Sequence, residues 1–142
     1  MSPFDPSPTA TARAATGLDR LVIAFSRREQ DHGLSPAQWS ALRYIAACNR
    51  GEHATTGGFA RLRLVTPSSA SQTIASLVRI GLVERQAHAD GRSKSLALTA
   101  KGRALVQTDP RQPVLTALAG LSSETLSEFS GVIDILTRAL LP

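Results

Sequence analysis

Apolar side chains recur at Leu18, Leu21, Val22 and Phe25 with the spacing of one helical face, which predicts a first helix over residues 13–31 with a single buried stripe. Gly33 ends it. Ser35-Pro36-Ala37-Gln38 then sets a serine N-cap before a proline at the first helical position, with a glutamine that can reach back to the cap. The helix so opened carries Trp39, Leu42, Ile45 and Ala46 on one face. It stops near Asn49-Arg50-Gly51, where Asn and Gly tolerate a left-handed backbone. Residues 55–65 (TTGGFARLRLV) predict a short, weak third helix, because each of two adjacent glycines costs about 1 kcal/mol relative to alanine.

A second capped start, Thr66-Pro67-Ser68-Ser69, opens a helix that runs to Ile80 and is closed by Gly81. The helical period puts Ala70, Thr73, Ile74, Leu77 and Val78 on an inner side. Ser68, Ser71, Gln72, Ala75, Ser76 and Arg79 fall on an outer side that is small and polar. Residues 82–88 and 93–99 flank Ala89-Asp90-Gly91-Arg92, in which Asp-Gly is a favoured hairpin turn, and Leu96 and Leu98 alternate with polar neighbours as in a half-buried strand. Thr99 can cap a fifth helix from Ala100, which Pro110 and Pro113 should break or bend. Leu121 and Leu126 stand at hydrophobic-staple positions around Ser122, and Phe129, Ile133, Leu136 and Leu140 continue the stripe of a last helix. Residues 1–12, with three prolines, read as a loose arm and not a signal peptide.

A length of 142 residues suits one domain, and 42% hydrophobic with 19% charged residues is the balance of a soluble globular protein. No apolar run nears the roughly eighteen residues of a membrane span, so a membrane partner is not expected and the cytoplasm is. Cys48 is alone, which excludes an internal disulfide and a cysteine-ligated zinc site; it reads as an inert, buried thiol. His32, His53 and His88 lack metal-ligand spacing, no glycine-rich phosphate loop follows a strand, and no carboxylate pair stands out. These features speak against an enzyme, a metal or a cofactor.

Charge changes the picture more. The net charge is +5, yet between Trp39 and Arg103 ten basic residues face three acidic ones, a local +7, and the flanks together carry −2. A cationic middle permits a polyanionic partner.

Helix, short helix, tight link, polar-faced helix and basic hairpin follow the order of a winged helix-turn-helix. The stretches LSPAQWSALRYIA, TPSSASQTIASLVRIGLVER and DGRSKSLALTAKGRAL, the last with an Asp-x-Arg at Asp90-Gly91-Arg92, resemble the MarR family of transcriptional regulators. The expected fold is therefore mainly α with a small β-hairpin wing (α+β). It would be one MarR-like domain over residues 13–142, its winged helix at about 34–105 flanked by dimerisation helices at 13–31 and 100–141. The resemblance implies a homodimer that binds a pseudo-palindromic site on double-stranded DNA in the nucleoid, most often as a repressor, and that releases it on binding a small aromatic or phenolic effector. Two departures stand out. The family usually has leucine where Arg63 stands and glycine where Leu64 stands, and Thr108–Pro113 interrupts what is normally one long helix.

The residues themselves fit that chemistry. Thr66, Ser68, Ser69, Ser71 and Gln72 offer short donors and acceptors near a helix start, able to approach base edges and phosphates in a major groove, with Gln72 the chief base reader. Arg92 at a hairpin tip can enter a minor groove with Asp90 holding its guanidinium, and Lys94, Arg85, Arg61 and Arg63 would add phosphate contacts. Few aromatics are available, so an effector pocket should be aliphatic with Trp39 or Tyr44 nearby. Apolar residues at the last helix's end ask for a partner chain to cover them. The competing reading, suggested by Gly57-Gly58, is a winged-helix module that binds a protein and not DNA.

Overall fold

The computed structural model describes residues 8–48, 53–87 and 94–141. Among them the order is α1 (Pro8–Asp31), α2 (Pro36–Ala47), α3 (Thr56–Arg63), α4 (Pro67–Arg79), β1 (Val83–Ala87), β2 (Lys94–Leu98), α5 (Ala100–Val106), α6 (Gln112–Ala119) and α7 (Ser123–Leu140). The chain falls into two compact units, Met1–Pro110 and Arg111–Pro142. No described helix is long and apolar enough to cross a membrane.

Capping chemistry sets the helix starts. The hydroxyls of Ser35, Thr55, Thr66, Thr99 and Ser122 each accept the backbone N–H three residues on, and the Gln38 side chain accepts the Ser35 N–H in return. Each cap satisfies a donor that the helix cannot, and contributes about 1 kcal/mol. α1 starts at Pro8, earlier than the expected residue 13, because Pro is tolerated in a first turn and four alanines follow by position 15. Part of the expected loose arm is thus helical; residues 1–7 lie outside the described ones.

The core of the first unit is built where the patterning placed it. Trp39, Leu42 and Ile45 of α2 meet Phe59 of α3, Ile74 and Leu77 of α4, and Val83, Leu96 and Leu98 of the hairpin. β1 and β2 pair antiparallel with Val83 opposite Leu98 and Ala87 opposite Lys94. A bridge from Ala54 to Leu96 ties the segment before α3 to the same sheet.

A charged cluster joins α1, α2 and the turn after α5. The Arg43 guanidinium donates to both Asp109 carboxylate oxygens at 2.9 and 2.7 Å and to Glu29 at 2.7 Å, with its centre 5.7 Å from the Phe25 ring and 5.6 Å from that of Trp39. Burial works against the Arg43 charge, but hydrogen bonds and attraction from Asp109 and Glu29 outweigh it and hold the pKa above its ordinary value. Arg28 adds a 2.9 Å bond to the Pro110 carbonyl. The expected interruption is also present: α5 stops at Val106, Pro110 lies in the gap, and Pro113 sits in the first turn of α6.

One expectation fails within the single chain. The α1 stripe is not buried: Leu18, Leu21 and Val22 are exposed and only Phe25 is half-buried. The apolar positions lie on one helix face as the period requires, but the described residues of their own unit do not cover them. In the second unit α7 is similar, with Phe129, Val132, Ile133, Ile135 and Leu136 exposed.

Candidate nucleic-acid interface

α3 and α4 make the helix-turn-helix, and the turn between them is unusual. Leu64 closes α3 in the left-handed region, φ 57°, where a side chain costs about 1–2 kcal/mol. Its N–H donates to the Arg61 carbonyl, and the Val65 N–H reaches back to Ala60 at 3.1 Å, the paired bonds of a Schellman turn. The geometry is the one a glycine usually supplies, so the leucine is unusual in residue type while the backbone keeps the turn.

The glycine pair upstream also has a local cause. α3 is regular in spite of it, because a Cβ on Gly58 would collide with the Tyr44 hydroxyl, which accepts the Thr55 N–H at 3.2 Å and pins the start of α3 to α2. Gly57 has no such constraint; the nearest atom to a Cβ there is an Arg61 nitrogen at 3.6 Å.

The proposed reading residues are brought together. Thr66 caps α4 through a 3.1 Å bond from the Ser69 N–H, and Ser68, Ser69, Ser71 and Gln72 lie exposed along its first two turns. Behind them Ala70, Ile74 and Leu77 are fully buried, so the helix is held by one face and open on the other. Arg61 and Arg63 are exposed in the last turn of α3, where positive charge also complements the helix dipole. Arg85 and Lys94 are exposed on the hairpin, Lys94 at its far end. Asp90 and Arg92 lie outside the described residues.

One assignment changes. Ser76, counted on the outer face, turns inward: its hydroxyl accepts a 3.0 Å bond from the Gln38 amide and donates at 2.6 Å to the Thr73 carbonyl. It lies at the edge of the helix face, where periodicity alone cannot decide. Trp39 is fully buried with its indole N–H on the Glu29 carbonyl, and Tyr44 packs against Phe59. Neither lines the cleft of about 300 Å³ that opens between α1 and α2, walled by Val22, Phe25, Glu29, Ser40, Arg43 and Arg63. The Arg43 cluster itself was missed, because residues 29, 43 and 109 share no local pattern. Cys48 is half-buried at the C-cap of α2, against the core.

Solved structures share this arrangement. The S. aureus MepR–DNA complex aligns with TM-score 0.70 at 18% identity, covering 95% of this chain and 97% of that one. A probable transcriptional regulator from Pseudomonas aeruginosa aligns with TM-score 0.64 at 24% identity, over 84% and 92% of the two chains. A MarR family transcription regulator aligns with TM-score 0.68 at 25% identity, over 90% and 86%. No curated protein sequence matches the chain. Residues 32–93, from the end of α1 to the hairpin, match the sequence profile of the MarR family.

That match spans less than half of the chain, which is similar to the MarR family over its winged-helix part. Against that resemblance the departures of this chain are local: a leucine bears the left-handed turn, Gly58 makes room for Tyr44, and the helical run after the hairpin is broken between Val106 and Gln112.

Proposed function

We propose that this chain is a homodimeric, sequence-specific regulator of transcription, acting as a repressor at a pseudo-palindromic site on double-stranded DNA. The observation that carries the reading is the exposed, short-chained polar face of α4 on a rigid core, with Arg61 and Arg63 beside its start. Gln72 reads a base edge, while Thr66, Ser68, Ser69 and Ser71 hold phosphates and sugars and Lys94 grips the backbone from the hairpin. Asp90 and Arg92 serve the minor groove. Two chains related by a two-fold axis, joined through the exposed stripes of α1 and α7, set their α4 helices about 34 Å apart, one turn of DNA.

An aromatic or phenolic anion is the effector we favour, held in the α1–α2 cleft with Arg63 at its rim and Arg43 in its wall. It would release DNA only by binding one spacing of the two readers more tightly than the other. The protein-partner alternative rested on an irregular α3; the contact of Gly58 with Tyr44 explains the glycine without it.

Selection of bound fragments from a random DNA library, followed by mobility-shift titration at several salt concentrations, tests the reading. We expect an inverted repeat and an affinity that falls steeply with salt. No shift at low salt would overturn it.

A further inference from the structure

A reading helix must be fixed about its own axis as well as exposed. The buried stripe of α4 is Ala70, Ile74 and Leu77, and apolar contact has no direction, so it tolerates a few degrees of roll. Side-chain ends lie about 5–6 Å from a helix axis, so a roll of about 10° moves them by about 1 Å. A hydrogen bond to a base edge works over only about 2.7–3.2 Å, so that displacement is enough to lose it.

One directional restraint bears on this roll. The Gln38 side chain is used at both ends: its carbonyl accepts the Ser35 N–H at 2.9 Å, which fixes it to the start of α2, and its amide donates at 3.0 Å to the Ser76 hydroxyl. The Ser76 hydroxyl itself donates a hydrogen bond to the Thr73 carbonyl at 2.6 Å, so its oxygen is held in place as an acceptor. Ser76 is one turn beyond Gln72, about 40° around the helix at the standard period. Restraining it restrains the stripe that Gln72 occupies.

We infer that Gln38 and Ser76 form a positioning pair that sets the roll of α4, and with it the sequence discrimination of the protein, without touching DNA. This rests on the reading of α4 as the DNA-reading helix. It assigns to Gln38 a role beyond its cap and to Ser76 a role inside the protein.

The test compares Ser76→Ala, Ser76→Thr and Gln38→Met with the unaltered protein in two measurements. In the first, affinities for a selected DNA site and for random DNA are determined separately. Ser76→Ala and Gln38→Met should lower the ratio of the two about tenfold, with random-DNA affinity unchanged, and Ser76→Thr, which keeps the hydroxyl, should restore it. A ratio unchanged in Ser76→Ala, or equal losses on both DNAs, overturns the inference. The second needs no DNA: residual dipolar couplings of the α4 amides report the helix's roll directly. Ser76→Ala should shift their phase and Ser76→Thr should not; an unchanged phase overturns the inference on its own. A protein that shows the phase shift but binds no DNA would instead sink the functional reading, so the two failures are separable.

Discussion

The helix-turn-helix and the two long outer helices obey the same apolar periodicity but meet opposite fates. In α2, α3 and α4 the stripe residues Trp39, Leu42, Phe59, Ile74 and Leu77 are fully buried within the chain. In α1 and α7 the stripes stay open, with Val22 59% and Phe129 42% exposed. Periodicity therefore tells which side of a helix is apolar, but not whether the same chain supplies the cover. Here one set of stripes finishes a core, and the other leaves apolar surface of the kind that marks an association site.

The comparison predicts that substitutions in the inner set act on folding and those in the outer set on assembly. The largest effect should follow Arg43→Met. It removes the ion pairs of Arg43 with the buried Glu29 and the half-buried Asp109 and should cost about 3–5 kcal/mol in denaturant unfolding. The ordinary range of pH should not reproduce that loss by titrating the arginine, because its raised pKa keeps the stabilising charge fully present below the unfolded-state value. Next, Phe129→Glu combined with Ile133→Glu should weaken the proposed dimer at least about a hundredfold in sedimentation equilibrium, or about 2.7 kcal/mol, while each chain keeps its helical circular dichroism. A loss of helix there would break the distinction between the two regions.

Gly58→Ala sharpens it further. Helix propensity alone predicts a gain, whereas the Tyr44 hydroxyl in the way predicts a loss of about 1–3 kcal/mol in thermal unfolding. The smallest effect is at Leu64, which is 64% exposed and so loses little burial on truncation. Leu64→Gly should stabilise by about 0.5–1 kcal/mol, the strain relieved less the extra chain entropy of glycine.

Local chemistry made much of this molecule legible in its sequence. Ser35, Thr66, Thr99 and Ser122 announce their helices, because a cap is decided within four residues, and the alternation at Leu96 and Leu98 announces a strand. The exposed serines and Gln72 of α4 were legible for the same reason. What escaped depends on distant partners. Gly58 looks like a helix breaker until Tyr44 is placed beside it; Arg43 counts as one more surface cation until Asp109 arrives from far along the chain. Ser76 sits on the margin between two helix faces, where a hydrogen bond from Gln38 settles what the period leaves open.

The small sheet carries a safeguard of its own. Because Ala54 hydrogen-bonds to Leu96, β2 has a neighbour on each side there, and β1 holds the open border of the hairpin. That border is only five residues long and carries Glu84, Arg85 and Gln86, all exposed. A stray strand from another molecule would find a short template bearing charges of both signs, so the hairpin is guarded from fibril-like pairing at its most vulnerable margin.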